Sequence, residues 1–150
     1  MSQKTVLVVE DDQPIRNAIA LILDRHGFRT IVATDGAMAL LLVDQADVVL
    51  LDLLMPVMDG EAFLRRIREE GNYIPVIVMS AAYGRDESLQ KMGELKIVEF
   101  LEKPFTATHL VEQVKKACAV TDSMKAVAEA SGTLKKFLVR QEPHEKPPNG

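Results

Sequence analysis

The chain has 150 residues, 47% hydrophobic and 27% charged, with a formal net charge of −4. That is enough chain for one domain with a sizeable core, and the acidic balance, two tyrosines and no Lys/Arg-rich run argue against nucleic-acid binding by the whole chain. No apolar run reaches membrane-spanning length, MSQKTVLVVEDD does not read as a signal peptide, and a lone Cys118 excludes an internal disulfide and fits a reducing cytoplasm.

Short apolar runs alternate with amphipathic stretches. TVLVV (5–9) predicts a buried strand. PIRNAIALILDRHGF (14–28) carries Ile15, Ala18, Ile19, Ile22 and Leu23 at helical spacing, with Pro14 in the first turn and Gly27 at the end. RTIVAT (29–34) is a second strand, GAMALLLVDQ (36–45) a second helix, VVLL (48–51) a third strand and GEAFLRRIREEG (60–71) a third helix. IPVIVMS (74–80), a weaker helix over about 84–93, IVEFL (97–101) and ATHLVEQVKKACAV (107–120) complete a fivefold βα alternation. Such a pattern implies a doubly wound, flavodoxin-like (βα)5 three-layer sandwich around a parallel sheet. The more mixed second and fifth strands belong at its edges, which suits the order 2-1-3-4-5. Residues 4–120 form this domain. Residues 121–150 form an extension: a weak helical stripe through Met124, Val127, Ala128, Leu134 and Phe137, interrupted by Gly132, then a polar, Pro-rich end expected to be disordered.

Asp52, set between VVLL and LLMP, is a carboxylate with no charged sequence neighbour before Asp59. A buried carboxylate needs company. Ligands of open α/β sheets bind at the carboxyl ends of the strands, and there strand one ends in Glu10-Asp11-Asp12, strand four in Ser80 and strand five in Lys103-Pro104. Clustered carboxylates repel one another unless a cation joins them, and oxygen ligands select Mg²⁺ or Mn²⁺. A carboxylate can also attack phosphorus to give an acyl phosphate, with a lysine and a hydroxyl stabilising the phosphoryl oxygens. Asp52 is the natural nucleophile. Asp12, just before Gln13-Pro14, suits a helix cap, as does Asp59 before Gly60.

VLVVEDD, VVLLDLLMPVMDG, VIVMSA and EKPF, in this order and spacing, resemble the receiver domain of bacterial two-component response regulators, of the chemotaxis-regulator-like single-receiver kind. The resemblance spans about residues 4 to 120. It implies that Asp52 is phosphorylated, that Asp11, Asp52 and the Leu54 backbone carbonyl ligate Mg²⁺, and that Glu10 acts on the metal through water. It further implies that Lys103 pairs with the phosphate, that Ser80 is the switch hydroxyl and Phe100 the switch aromatic, and that a histidine kinase or phosphotransfer protein is the donor. The implied chemistry is limited to self-phosphorylation and self-dephosphorylation, and the implied output is a change of contacts with a downstream protein, with no membrane or nucleic-acid partner and a homodimer admitted.

KMGELKIVEF departs from the family, which has Gly-Ala shortly before the switch aromatic. A haloacid-dehalogenase-type phosphohydrolase also uses an aspartyl phosphate, but looks for a second Asp where Leu54 stands. A receiver-like binding module without phosphorylation is the other alternative, disfavoured by the complete set Glu10, Asp11, Asp52, Ser80 and Lys103. Leu54 and Ala82, two positions after Asp52 and Ser80, cannot orient a water, so slow self-dephosphorylation is expected. The residues after 120 are too few for a winged-helix DNA-binding domain.

Overall fold

The computed structural model describes residues 3–53, 55, 57–81 and 95–141, without the side chains of 81 and 133–141. The β-branched runs pair into one parallel sheet of order β2-β1-β3-β4-β5, built from β1 (Thr5–Val9), β2 (Arg29–Ala33), β3 (Val48–Asp52), β4 (Val76–Ala81) and β5 (Glu99–Lys103). Val6–Val9 and Val48–Leu51 have no exposed surface, as expected of central strands covered on both faces.

Each of the first three helices opens on an aspartate whose carboxylate takes an orphan backbone N–H. Asp12 accepts from Ile15 N at 3.2 Å and starts α1 (Gln13–Arg25). Asp35 accepts from Met38 N at 2.9 Å and starts α2 (Gly36–Leu42), which runs into a 3-10 turn at Val43–Gln45. Asp59 accepts from Ala62 N at 2.8 Å and starts α3 (Gly60–Glu69). The C-terminal helix α4 spans Ala107–Gln141. The sheet divides the core in two. Val9, Leu51 and Val78 pack with Phe63, Leu64 and Ile67 of α3 and Ala39 of α2. Val8, Leu50 and Met79 pack with Ile19 and Leu23 of α1 and Leu110 and Val114 of α4. The flavodoxin-like sandwich expected from the βα alternation is present; the helix expected over 84–93 lies outside the described residues.

Several element boundaries differ from the sequence expectation by a few residues, and two of the differences bear on the site and on the last helix. The last strand is displaced by two residues, because Ser80 pairs with Glu102 and Ala81 with Lys103. An edge strand keeps its backbone ladder through polar residues that hydropathy reads as its end. At its start, Lys96 adopts φ 56°, and this bend keeps Ile97 and Val98 out of the strand. The helix expected to stop at 120 instead continues through Gly132 to Gln141. Side-chain ties hold it across that point. Thr121 Oγ1 donates to Asp47 O at 2.6 Å, Lys125 Nζ pairs with Asp47 Oδ1 at 3.0 Å, and Lys4 Nζ pairs with Asp122. The same Asp47 accepts from Thr5 N at 2.8 Å. Burial alone would raise the Asp47 carboxyl, but Thr5 N–H and the Lys125 and Lys4 ammoniums outweigh it and hold the pKa below the ordinary value.

Candidate functional site

Strand alternation selects the side chains that meet. Val6 and Val8, Val48 and Leu50, and Leu101 all face α1 and α4. Two residues further along each strand, the same side is reached by Glu10, Asp52 and Lys103. Val9 pairs with Leu51, so Glu10 and Asp52 leave adjacent strands side by side. Lys103 Nζ lies 2.9 Å from Glu10 Oε1 and 3.7 Å from Asp52 Oδ2. Oxygens of Glu10, Asp11 and Asp52 lie within 4.8 Å of one another. Three carboxylates and one ammonium therefore meet at the carboxyl end of the sheet, from positions far apart in the chain.

The burial is uneven. Glu10 is 1% exposed and Asp52 8%, whereas Asp11 is exposed. Burial pushes the Glu10 carboxyl up to about 7; the neighbouring Asp52 carboxylate adds to the rise, and Lys103 opposes it. Glu10 Oε2 is buried without a hydrogen-bond partner among the described residues. An acidic cluster with one lysine and an unsatisfied buried oxygen is short of positive charge and of donors. That donor set fits a hard divalent cation.

Two neighbours that the sequence did not announce shape the cluster. Arg16, one turn into α1, donates from one guanidinium nitrogen to Glu10 O at 3.0 Å and to Asp11 O at 3.3 Å. It thus fixes the backbone that carries the acidic pair. Its only sequence signal is a place on α1 close behind those acids. Gly60 is required by close approach: a Cβ there would stand 2.3 Å from Asp52 O. The start of α3 can press against the Asp52 backbone only because position 60 has no side chain.

The remaining sequence-nominated positions divide. Ser80 stands half-buried at the end of β4, one residue beyond Met79, the partner of Asp52. It continues the face of Val76 and Val78, opposite in parity to Asp52. Phe100 is 6% exposed within the α2–α3 side of the core, across the sheet from Lys103. Lys103–Pro104 is a cis peptide. Leu54 and Ala82 lie outside the described residues.

The family model for the response regulator receiver domain matches residues 6–115. Sporulation initiation phosphotransferase F of Bacillus subtilis is 34% identical over 118 residues, which cover 77% of this chain and 94% of that protein. Sensory transduction protein RegX3 of Mycobacterium tuberculosis is 35% identical over 115 residues, 74% of this chain and 49% of that protein. The chain thus spans about half the length of RegX3. Among solved structures, the receiver domain of the Francisella response regulator 1452 superposes with a TM-score of 0.73 at 30% identity, covering 79% of this chain and 99% of that one. NtrX from Brucella abortus superposes with a TM-score of 0.76 at 28% identity over 86% of this chain and 30% of its own.

Proposed function

The chain belongs to the response regulator receiver domain family, and on that footing we propose that Asp52 is its phosphoacceptor. The observation that carries the assignment is the placement of Asp52: a nearly buried carboxylate at the end of the central strand, with Lys103 Nζ 3.7 Å from its Oδ2 and two further acids beside it. In this reading an Asp52 oxygen attacks the phosphorus of a phosphohistidine. The O–P bond forms, the P–N bond breaks, and the histidine nitrogen leaves to take up a proton. The donor is a histidine kinase or a phosphotransfer protein.

Asp11 and Asp52 would hold Mg²⁺ or Mn²⁺ directly, with the Leu54 carbonyl as a third ligand and Glu10 acting through water. The bound cation supplies charge neutralisation for the carboxylates and the incoming phosphoryl oxygens. The chain's own residues do the rest. Lys103 gives up part of its contact with Glu10 to meet the phosphoryl group, and Ser80, of opposite parity to Asp52 but next to its partner Met79 at the carboxyl end of the sheet, would have to turn its hydroxyl over that edge to meet a phosphoryl oxygen. Arg16 keeps the acidic loop in place. Phe100, buried on the far face, is the aromatic through which β5 reports the change. The downstream target is a protein, met through surfaces that respond to these shifts. No helix among the described residues is long and apolar enough to cross a membrane, and a lone, buried Cys118 suits a reducing, cytoplasmic setting.

With Mg²⁺ and acetyl phosphate, intact-mass spectra should show one added phosphoryl group, lost on Asp52→Asn and prevented by EDTA. Equal labelling of wild type and Asp52→Asn would overturn the assignment. No labelling of either would favour a binding module that works without phosphorylation.

A further inference from the structure

Beyond the sheet, α4 carries an apolar stripe that the receiver covers only in part at Val120 and Met124 and leaves open at Val127. Val120, Met124 and Val127 are 38%, 39% and 69% exposed, and residues 122–131 are all exposed. Their spacing is 4 then 3. The sequence continues it through Ser131, Leu134 and Leu138, with the backbone helical throughout. Alternating 3- and 4-residue steps keep these positions on one face of the helix, the kind of stripe that packs along another helix. Most helical stability in proteins comes from packing an apolar face, and Gly132 weakens this helix further.

We infer that residues 120–141 of α4 pair antiparallel with the same segment of a second copy of this chain. The charges favour that orientation. The near half carries Asp122, Lys125 and Glu129, beside a receiver base bearing Asp44, Asp47 and Glu70; Lys4, Lys125 and Arg66 pair with three of these acids and leave the region net negative. The far half carries Lys135, Lys136 and Arg140. A parallel pair would set the basic ends against each other, whereas an antiparallel pair lays each basic end on the partner's acidic base. The register that opposes Val127 to Ser131 also opposes Met124 to Leu134 and Val120 to Leu138, so one member of each layer comes from each half. The flanking positions Ser123, Ala128 and Ala130 are small and let the helices approach. At 1.5 Å per residue the segment runs about 33 Å. An apolar strip of that length buries roughly 1,000 Å² in all, at the lower bound of specific interfaces, so the dimer should be of micromolar strength.

Sedimentation of the full chain should show a monomer at about 1 μM and a dimer at about 100 μM. Val127→Lys, at an exposed position, should raise the dissociation constant about 100-fold while the receiver's thermal melt stays in place. Ala126→Lys, off the stripe, should leave dimerisation unchanged. A monomer at every concentration, or a dimer indifferent to Val127→Lys, would overturn the inference. Orientation is read by oxidising a mixture of Val127→Cys and Ser131→Cys chains, each also carrying Cys118→Ala. Disulfides joining 127 to 131 support the antiparallel pair; disulfides of each position with itself overturn it.

Discussion

A carboxyl group as buried as Glu10, beside a second carboxylate, favours its neutral form. Its folded pKa of about 7 stands above the ordinary 4.5, so the stability it contributes is complete below about 4.5 and is lost as pH rises through about 7. In EDTA, the unfolding free energy of the wild type should therefore fall between pH 5 and pH 8. The fall should be a few kcal/mol at most, since each tenfold difference in proton affinity between the folded and unfolded chain is worth about 1.4 kcal/mol. Glu10→Gln, which stays neutral, should flatten that slope. Mg²⁺ should flatten it too, by stabilising the ionised cluster at high pH. Urea titrations across this range check all three, and an unchanged slope in Glu10→Gln would show that another group titrates. The residue scale was the most legible in sequence. Glu10, Asp11, Asp52 and Lys103 are chemistry-bearing types that follow short apolar runs, and in a βα alternation such positions fall at the carboxyl ends of the strands. Arg16 was not legible, because it acts on backbone carbonyls and leaves no patterned partner in the sequence.

At the scale of elements, Arg68 shows how the site's far support is built. This α3 arginine is 9% exposed. It donates to Leu95 O at 2.7 Å, Asn72 O at 2.8 Å and Lys96 O at 3.3 Å, and Tyr73 stacks near it, with 5.9 Å from guanidinium to ring centre. It thereby ties α3 to the segment that leads into β5, the strand that delivers Lys103. Arg68→Met should leave three carbonyls without their donor and cost about 2–4 kcal/mol in urea unfolding. Arg68→Lys should recover only part, since one ammonium cannot span the three acceptors of a planar fork. Full recovery by lysine would mean that charge alone holds the segment. An amphipathic α3 was expected from its sequence, but a buried arginine looks there like a solvated one. The same limit explains β5. Its polar final residues carry the ladder and the site, while the apolar run that marked the strand begins two residues too early. In α4, Gly132 reads as an interruption, yet the backbone stays helical through it.

Across the whole molecule, the two ends of the sheet carry different tasks. The carboxyl ends of the strands gather the acids and Lys103. The opposite end is closed by Asp47, which joins Thr5 at the start of β1 to Thr121 and Lys125 of α4. The receiver's dependence on α4 should therefore end within a turn of Lys125, well short of the helix terminus. Among the described residues, removing 127–150 takes away no member of either core cluster and leaves the Asp47 and Lys4 ties whole. That truncated chain should melt cooperatively within a few degrees of the full chain, and it should accept one phosphoryl group on Asp52. Removing 122–150 also deletes Asp122 and Lys125. Lys4 then loses Asp122, and Asp47 loses Lys125 while keeping the Thr5 N–H. Because Asp122 and Lys125 are largely exposed, the added cost should be about 1 kcal/mol and not a loss of fold. Thermal melts of the two truncations, read beside Asp52 labelling, separate these cases. If the shorter deletion already abolished cooperative unfolding, residues beyond 126 would have to belong to the receiver's own core.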